Sequence, residues 1–371
     1  MKKLLFVGYQ LPYLLNDSNY SVGGYIHRIK LIIENLNKLD FEVKVITWEL
    51  DKQKLRKYKY FNFIEAFNKS SGIKKLRWFY YRVPKLISCI KLNNPDIIIQ
   101  GCAGLDTGIY SLISKFFKIP FIYLVTNDID VDNRLKTRVG IFGRIFYKIG
   151  LRNSSAIICQ NTYQYNKLKK AYPNKLIEII KNPYNIPKVK NTVNDRIHIS
   201  WIGTFHKQKN LEGLLDIVKR NSEINFKIIG KRGVSKDSST SFALRALSKC
   251  SNVEFLGYLT KEKIYNVLSK SIFLLNTSHY EGLSNTFLES LSVGTPIISL
   301  KSNPNNMINK YDLGFMVNPN GVKDKISYYN NEFDYNDAES RFKNYLDKHH
   351  NPKVIAHKYI QIFNQITNQY I

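Results

Sequence analysis

Short apolar runs alternate along this chain with longer stretches in which apolar side chains return every three or four positions. The runs at residues 3–8, 41–47, 96–100, 120–125 and 156–160 read as buried strands. The stretches at about 25–39, 105–117, 138–151 and 163–171 read as the helices between them. The rhythm breaks at 181–187, where Pro183 and Pro187 stiffen the chain and a polar segment follows. It restarts with strands at 197–202, 225–230, 272–275 and 295–300, and with a strand and its loop over 253–260. Helices are expected from about Leu211, over 260–270, and from Ser284 or Asn285 to about Val293, with 302–317 as a further crossover. Val354, Ile355, Tyr359, Ile362, Phe363 and Ile366 space a closing helix over about 352–370. Two successive βα series predict an α/β protein with two Rossmann-like, doubly wound domains facing a cleft, one over 1–187 and one over 188–351.

The stretch 279–300, HYEGLSNTFLESLSVGTPIISL, concentrates the chemistry. Glu281 falls in the loop at a strand's carboxyl end, where open α/β sheets bind ligands, and Glu289 lies on the helix that follows. Gly282, Leu283 and Ser284 present backbone N–H groups near the positive end of that helix, which suits a diphosphate. Taken singly, a Glu in the first turns of a helix is as often a charge compensating the helix dipole. A second loop, GTFHKQKN at 203–210, follows the strand at 197–202 and enters a helix. Near the N-terminus Gly23-Gly24 joins a loop to a helix, but no complete GxGxxG is present, which argues against a dinucleotide cofactor.

The segment EGLSNTFLE, followed by SLSVGTPII, resembles the E-x7-E segment of glycosyltransferase family 4, retaining enzymes of the GT-B fold. The loop 203–210 resembles that family's G-R-x4-K-(G/N) loop: Gly203, Lys209 and Asn210 match, and Thr204 stands where the family has Arg. The resemblance implies a donor-binding second half, an acceptor-binding first half and a last helix that returns to pack on the first. It implies transfer of a sugar from a nucleotide diphosphate sugar to a hydroxyl of a glycan or lipid-linked acceptor. No metal and no bound cofactor are expected. Lys209 would stabilise charge on the leaving diphosphate, and Glu281 would touch donor-sugar hydroxyls beside the anomeric carbon. Glu289 would bind the ribose, and Gly23 and Gly24 would approach the donor phosphates. Gly203, Thr204, Asn210, Gly282, Leu283 and Ser284 complete the donor set, with Lys231, Gly257 and Tyr258 near the base. Asn127 and Asp128 stand where the family often has a histidine and are the acceptor-side candidates.

Charge adds one further expectation. The net charge is +27, and residues 1–187 hold 31 Lys and Arg against 13 Asp and Glu. The segment 51–85 interleaves Lys74, Lys75, Arg77, Arg82 and Lys85 with Leu76, Trp78, Phe79, Tyr80 and Tyr81. It reads either as a solvated face over the core or as a patch for an anionic membrane surface. Nucleic acid is not expected, since no recognised binding module accompanies the charge. No uninterrupted apolar run of about 18 residues is present, so no spanning helix is expected. The first 15 residues superficially resemble a signal peptide, but Gly8 and Pro12 interrupt the apolar run and no small-residue cleavage site follows. Four scattered cysteines without a CxxC pair suggest buried free thiols in a reducing compartment. These points favour a cytoplasmic enzyme, peripheral on the inner face of the membrane, acting in surface-polysaccharide synthesis. A GT-B sugar-nucleotide epimerase and a charge-driven nucleic-acid or membrane-binding protein without catalysis are the alternatives.

Overall fold

The computed structural model describes residues 1–15, 23–39, 41–48, 61–74, 76–187, 196–233 and 237–368. The chain divides into two compact units, Met1–Pro183 with Asn351–Ile371, and Tyr184–His350. The first is built on seven parallel strands: β1 (Lys3–Val7), β2 (Glu42–Thr47), β3 (Asn62–Glu65), β4 (Ile97–Gly101), β5 (Phe121–Leu124), β6 (Ala156–Cys159) and β7 (Leu176–Ile179). Their order is β3-β2-β1-β4-β5-β6-β7. Alternate side chains of each strand enter opposite cores. Leu4 and Phe6 join the core under the helices Gly24–Leu36 and Pro352–Thr367. Leu5 and Val7 join the core under Val83–Asn93, Leu105–Phe116 and Ile141–Asn153.

The second unit has six parallel strands: β8 (His198–Ile202), β9 (Asn225–Ile229), β10 (Val253–Gly257), β11 (Ser271–Asn276), β12 (Ile297–Ser299) and β13 (Gly314–Met316), in the order β10-β9-β8-β11-β12-β13. Both sheets are doubly wound as the alternating pattern predicts. In each, the chain builds outward on one side and then returns to the middle. The reversal falls between β1 and β4 in the first sheet and between β8 and β11 in the second.

Three strands escape the sequence pattern: β3, β7 and β13. Each lies at a sheet edge and none is a continuous buried run, so no apolar stretch announces it. The helices Ser238–Leu247, Val322–Asn331 and Tyr335–His350 are also missing from the sequence reading. The acidic loop after β5 is two 3-10 turns, Asp128–Val131 and Asn133–Thr137. The cysteine expectation holds only in part: all four are free, but Cys159 alone is buried.

The basic-aromatic segment also needs correction. Arg82 is not a surface cation. It is 7% exposed, lies over the Phe67 and Trp78 rings, and donates to the Lys69 carbonyl at 2.9 Å. Trp78 and Tyr81 pack against the core, while Ile73, Leu76, Phe79 and Tyr80 are exposed. Residues 51–60 and Lys75 of that segment, 16–22 of the loop after β1, and 188–195 of the expected linker lie outside the described residues.

Two features tie the first unit together. Arg28, only 2% exposed, donates to the Val125 carbonyl at 3.0 Å and the Tyr359 hydroxyl at 2.9 Å, fastening the closing helix to the carboxyl end of β5. The helices Leu105–Phe116 and Ile141–Asn153 touch through glycine: a Cβ on Gly108 would stand 2.4 Å from the Phe146 carbonyl oxygen. Because the obstacle is backbone, Gly108→Ala is expected to lower stability by roughly 1–3 kcal/mol, as overpacking does. A urea midpoint equal to the parent's would show that the two helices separate freely.

Candidate active site

The reversal point of the second sheet brings the loops after β8 and β11 together, the position at which doubly wound sheets bind ligands. The first loop leaves β8 through Gly203, makes a 3-10 turn at Lys207–Lys209 and enters the helix Leu211–Arg220. The second runs from Thr277 to Ser284 and enters the helix Asn285–Leu291. They are stitched at several points. The His279 amide donates to the Gln208 carbonyl at 2.9 Å, and the Gln208 side chain donates to the Tyr280 carbonyl at 2.8 Å. The Thr277 hydroxyl donates to the Lys209 carbonyl at 2.7 Å and accepts from the Trp201 indole at 2.9 Å. Backbone and side chain therefore fix the register between the loops, not charge alone.

Within this frame Lys209 Nζ donates to Glu281 Oε1 at 2.5 Å, with side chains 14% and 10% exposed. Burying two charges to this degree is costly unless their geometry is good, and a charge-assisted hydrogen bond supplies that. Glycine makes the geometry possible. A Cβ on Gly203 would crowd the Lys209 stem at 3.3 Å, and one on Gly230, where φ is +148°, would fall 1.9 Å from the Gly203 carbonyl oxygen. Neighbouring charge is mostly positive. Burial, then Lys301 and Lys207, hold the His279 imidazole below its ordinary value, against a smaller opposite effect of Glu212. An anion at these loops would meet several lysines.

Glu289 sits differently. It is 7% exposed, its carboxyl is pushed up by burial, and Lys261 at 3.9 Å opposes the shift only through a long contact from a half-exposed side chain. Among the described residues no side chain or amide donates a hydrogen bond to this carboxylate. A buried carboxylate with its acceptor capacity unspent is costly for the ligand-free protein and suits a ligand that brings hydroxyls.

The other expected residues divide. Asn210 adopts a left-handed conformation (φ 52°) and caps the helix Leu211–Arg220, accepting from the Gly213 amide at 3.1 Å, so its side chain is committed to structure. Thr204 lies beside Gly233, half-buried. Ser284 takes the N-cap position of its helix, but its hydroxyl meets that of Thr286 at 2.7 Å and makes no cap bond; Gly282 and Leu283 precede it in the same loop. Lys231 lies over the Tyr258 ring at 4.9 Å, and the Gly257 carbonyl accepts from the Gly230 amide at 2.8 Å.

In the first unit Gly23 and Gly24 open the helix Gly24–Leu36, both exposed. The next residue, Tyr25, bridges that sheet's reversal point, donating to the Val7 carbonyl at 2.9 Å and accepting from the Gly101 amide at 3.1 Å. Asn127 caps the turn Asp128–Val131. Asp128 accepts from the Asn161 and Gln164 side chains, both at 2.9 Å; burial raises its carboxyl, and those two bonds oppose the shift. Asp130, 2% exposed, accepts from the Thr126 and Asn127 amides instead of facing solvent. Sequence reasoning missed Tyr25, Trp201, Gln208 and Thr277, whose roles depend on which strands become neighbours.

Residues 184–345, which lie within the second unit, match the family described as glycosyl transferases group 1. An uncharacterized glycosyltransferase of Methanocaldococcus jannaschii is 25% identical over 316 residues, 75% of this chain and 73% of that protein. Among solved structures, HepE of Anabaena in complex with UDP and glucose superposes with a TM-score of 0.74 at 14% identity, over 98% of this chain and 99% of that one. Sucrose-phosphate synthase of Thermosynechococcus elongatus gives 0.74 at 14% identity over the whole of both chains. These likenesses establish the GT-B fold.

The buried carboxyl makes a pH-dependent expectation. A Glu whose folded pKa lies above its unfolded value destabilises the fold once ionised. That cost is fully present above the folded value and disappears as pH falls to the unfolded one. Glu289→Gln should therefore raise the ligand-free Tm at pH 8, and the gain should shrink as pH falls towards 4. A Tm difference that does not change with pH would show that Glu289 is not held at a cost.

Proposed function

We propose that this chain is a glycosyltransferase that moves a sugar from a nucleotide diphosphate sugar to an acceptor hydroxyl with retention at the anomeric carbon. The observation that carries this reading is the meeting of Lys209 and Glu281 at the reversal point of the second sheet, with Glu289 one helix further on. Breaking the bond between the anomeric carbon and the phosphate oxygen leaves negative charge on the diphosphate. Lys209 and the open amides around Leu283 and Ser284 stabilise that charge as it develops, which lowers the barrier because the ground state needs it less. Glu281, held by Lys209, faces the donor-sugar hydroxyls, and Glu289 accepts hydrogen bonds from the ribose. The acceptor oxygen attacks the anomeric carbon on the face the phosphate leaves, and its proton passes to the departing phosphate oxygen. Glu281 need not be a covalent nucleophile, since one carboxylate beside the bond does not make the flanking pair that retaining glycosidases use. No metal enters this reading.

Acceptor binding falls to the first unit, where Asn127 and Asp128 stand at the carboxyl end of β5. The acceptor we favour is a glycan or lipid-linked glycan of surface-polysaccharide synthesis. Exposed Ile73, Leu76, Phe79 and Tyr80 beside Lys74 and Arg77 support an anionic membrane surface as the place where it is met, with the enzyme peripheral on the cytoplasmic side. Among the described residues no helix is long and apolar enough to cross a membrane.

Turnover of a panel of nucleotide sugars, with product configuration read from the anomeric proton by NMR, tests the reaction. One donor series should give an axial-to-axial or equatorial-to-equatorial product. Lys209→Ala should lower kcat by roughly 10²–10³-fold, the cost of losing one stabiliser of a developing anion. Inverted product would contradict the retaining step, and unchanged kcat in Lys209→Ala would remove that residue from the chemistry.

A further inference from the structure

A cavity of about 600 Å³ opens on the first unit between the helices Ile141–Asn153 and Thr162–Ala171 and the turns that follow β5. The proposed transfer leaves it unused. Its floor is apolar, with Leu135, Leu151 and Leu168 each buried, and its walls carry Lys136, Arg144, Lys148 and Lys167. Two acids line the cavity beside these four cations. Asp132 pairs with Arg134 at 2.5 Å and accepts from the Tyr163 hydroxyl at 2.8 Å; Asp130 accepts from Thr126 and Asn127 through Oδ2, while its buried Oδ1 has no hydrogen-bond partner. Among the described residues none of the four cations forms an ion pair, and Arg144 Nε is enclosed without a hydrogen-bond partner. The site therefore holds unspent positive charge over an apolar floor.

The rim supplies a second, independent observation. Ile141 and Ile145 line the cavity, yet they are 62% and 50% exposed, and Phe142 between them is 75% exposed. Three large apolar side chains within five residues at the start of one helix, with Arg144 among them, form an amphipathic edge left at least half exposed by the described residues. A soluble phosphate would satisfy the cations and leave this edge bare. An apolar peptide would cover the edge and leave the cations unpaired. A phospholipid in a bilayer answers both, because its phosphate lies one headgroup away from its acyl chains.

We propose that this cavity receives the phosphate of an anionic phospholipid and that Ile141, Phe142 and Ile145 enter the acyl layer beside it. The proposal rests on the membrane part of the reading above and names a site for it. The helix pocket holds the headgroup, and the segment around Lys74 and Arg77 adds a weaker contact with the same anionic surface. The sugar transfer itself does not depend on it.

Flotation of the full chain with vesicles tests this, comparing phosphatidylcholine alone with phosphatidylcholine containing about a third phosphatidylglycerol. Three double variants are compared with the parent: Arg144→Gln with Lys148→Gln, Phe142→Ser with Ile145→Ser, and Lys74→Gln with Arg77→Gln. Unchanged Tm and unchanged nucleotide binding certify each as folded. The parent is expected to float with the anionic vesicles only. The two pocket variants should bind them about ten- to thirty-fold more weakly, as expected for two lost membrane contacts, and the Lys74/Arg77 variant about three- to five-fold more weakly, as expected for a looser contact. If the parent floats with neither vesicle, the membrane reading and this site both fall. If the Lys74/Arg77 variant alone loses binding, the membrane reading stands and the pocket is overturned. If the charge variant loses binding while Phe142→Ser with Ile145→Ser keeps it, insertion is overturned.

Discussion

The order of six strands decides where this protein can do chemistry. Because the second sheet is laid down outward from β8 and then resumed at β11, two loops far apart in sequence end side by side. Nothing in either loop alone forces Lys209 to meet Glu281. The meeting is imposed by β8 and β11 pairing in parallel and is then held by the Trp201–Thr277–Lys209 chain of hydrogen bonds and the Gln208 clasp. The ion pair completes a frame that the backbone has already set. This bears on the proposed transfer, since a stabiliser of developing charge is effective when it needs no reorganisation at the moment of reaction.

The two carboxylates of the pattern have opposite electrostatics in the ligand-free state. Glu281 is compensated by a lysine at hydrogen-bond distance, whereas Glu289 is buried with only a distant one. The first arrangement holds a side chain in place. The second keeps an acceptor ready at a cost in stability, which is the compromise expected where a ligand restores what the fold gives up. Asn210 shows the reverse case: a residue of the same motif whose side chain serves only to start a helix. One motif therefore holds a carboxylate with no hydrogen-bond donor on it among the described residues and a side chain already spent on capping a helix.

Much of the fold was legible because strands buried on both faces leave continuous apolar runs, as in β4, β6 and β11. Edge strands such as β3 and β13 left no such trace, being half-open to solvent. The positions of Glu281, Lys209 and Glu289 were legible through motif spacing, but their partners were not. Spacing along the chain says nothing about which loop lies against which until the strand order is known. Arg82 illustrates the limit of reading charge: an arginine among aromatics looked like part of a surface patch, and it instead lies inside, stacked on Phe67 and Trp78.

The most direct test of the account is calorimetric titration of nucleoside diphosphates into the parent protein, Lys209→Met and Glu289→Ala. The account predicts that one nucleoside diphosphate binds the parent, that Lys209→Met weakens it, and that Glu289→Ala weakens it while inorganic diphosphate binds both Glu289→Ala and parent alike. Equal nucleotide affinity in all three folded proteins would contradict a donor site at the reversal point of the second sheet.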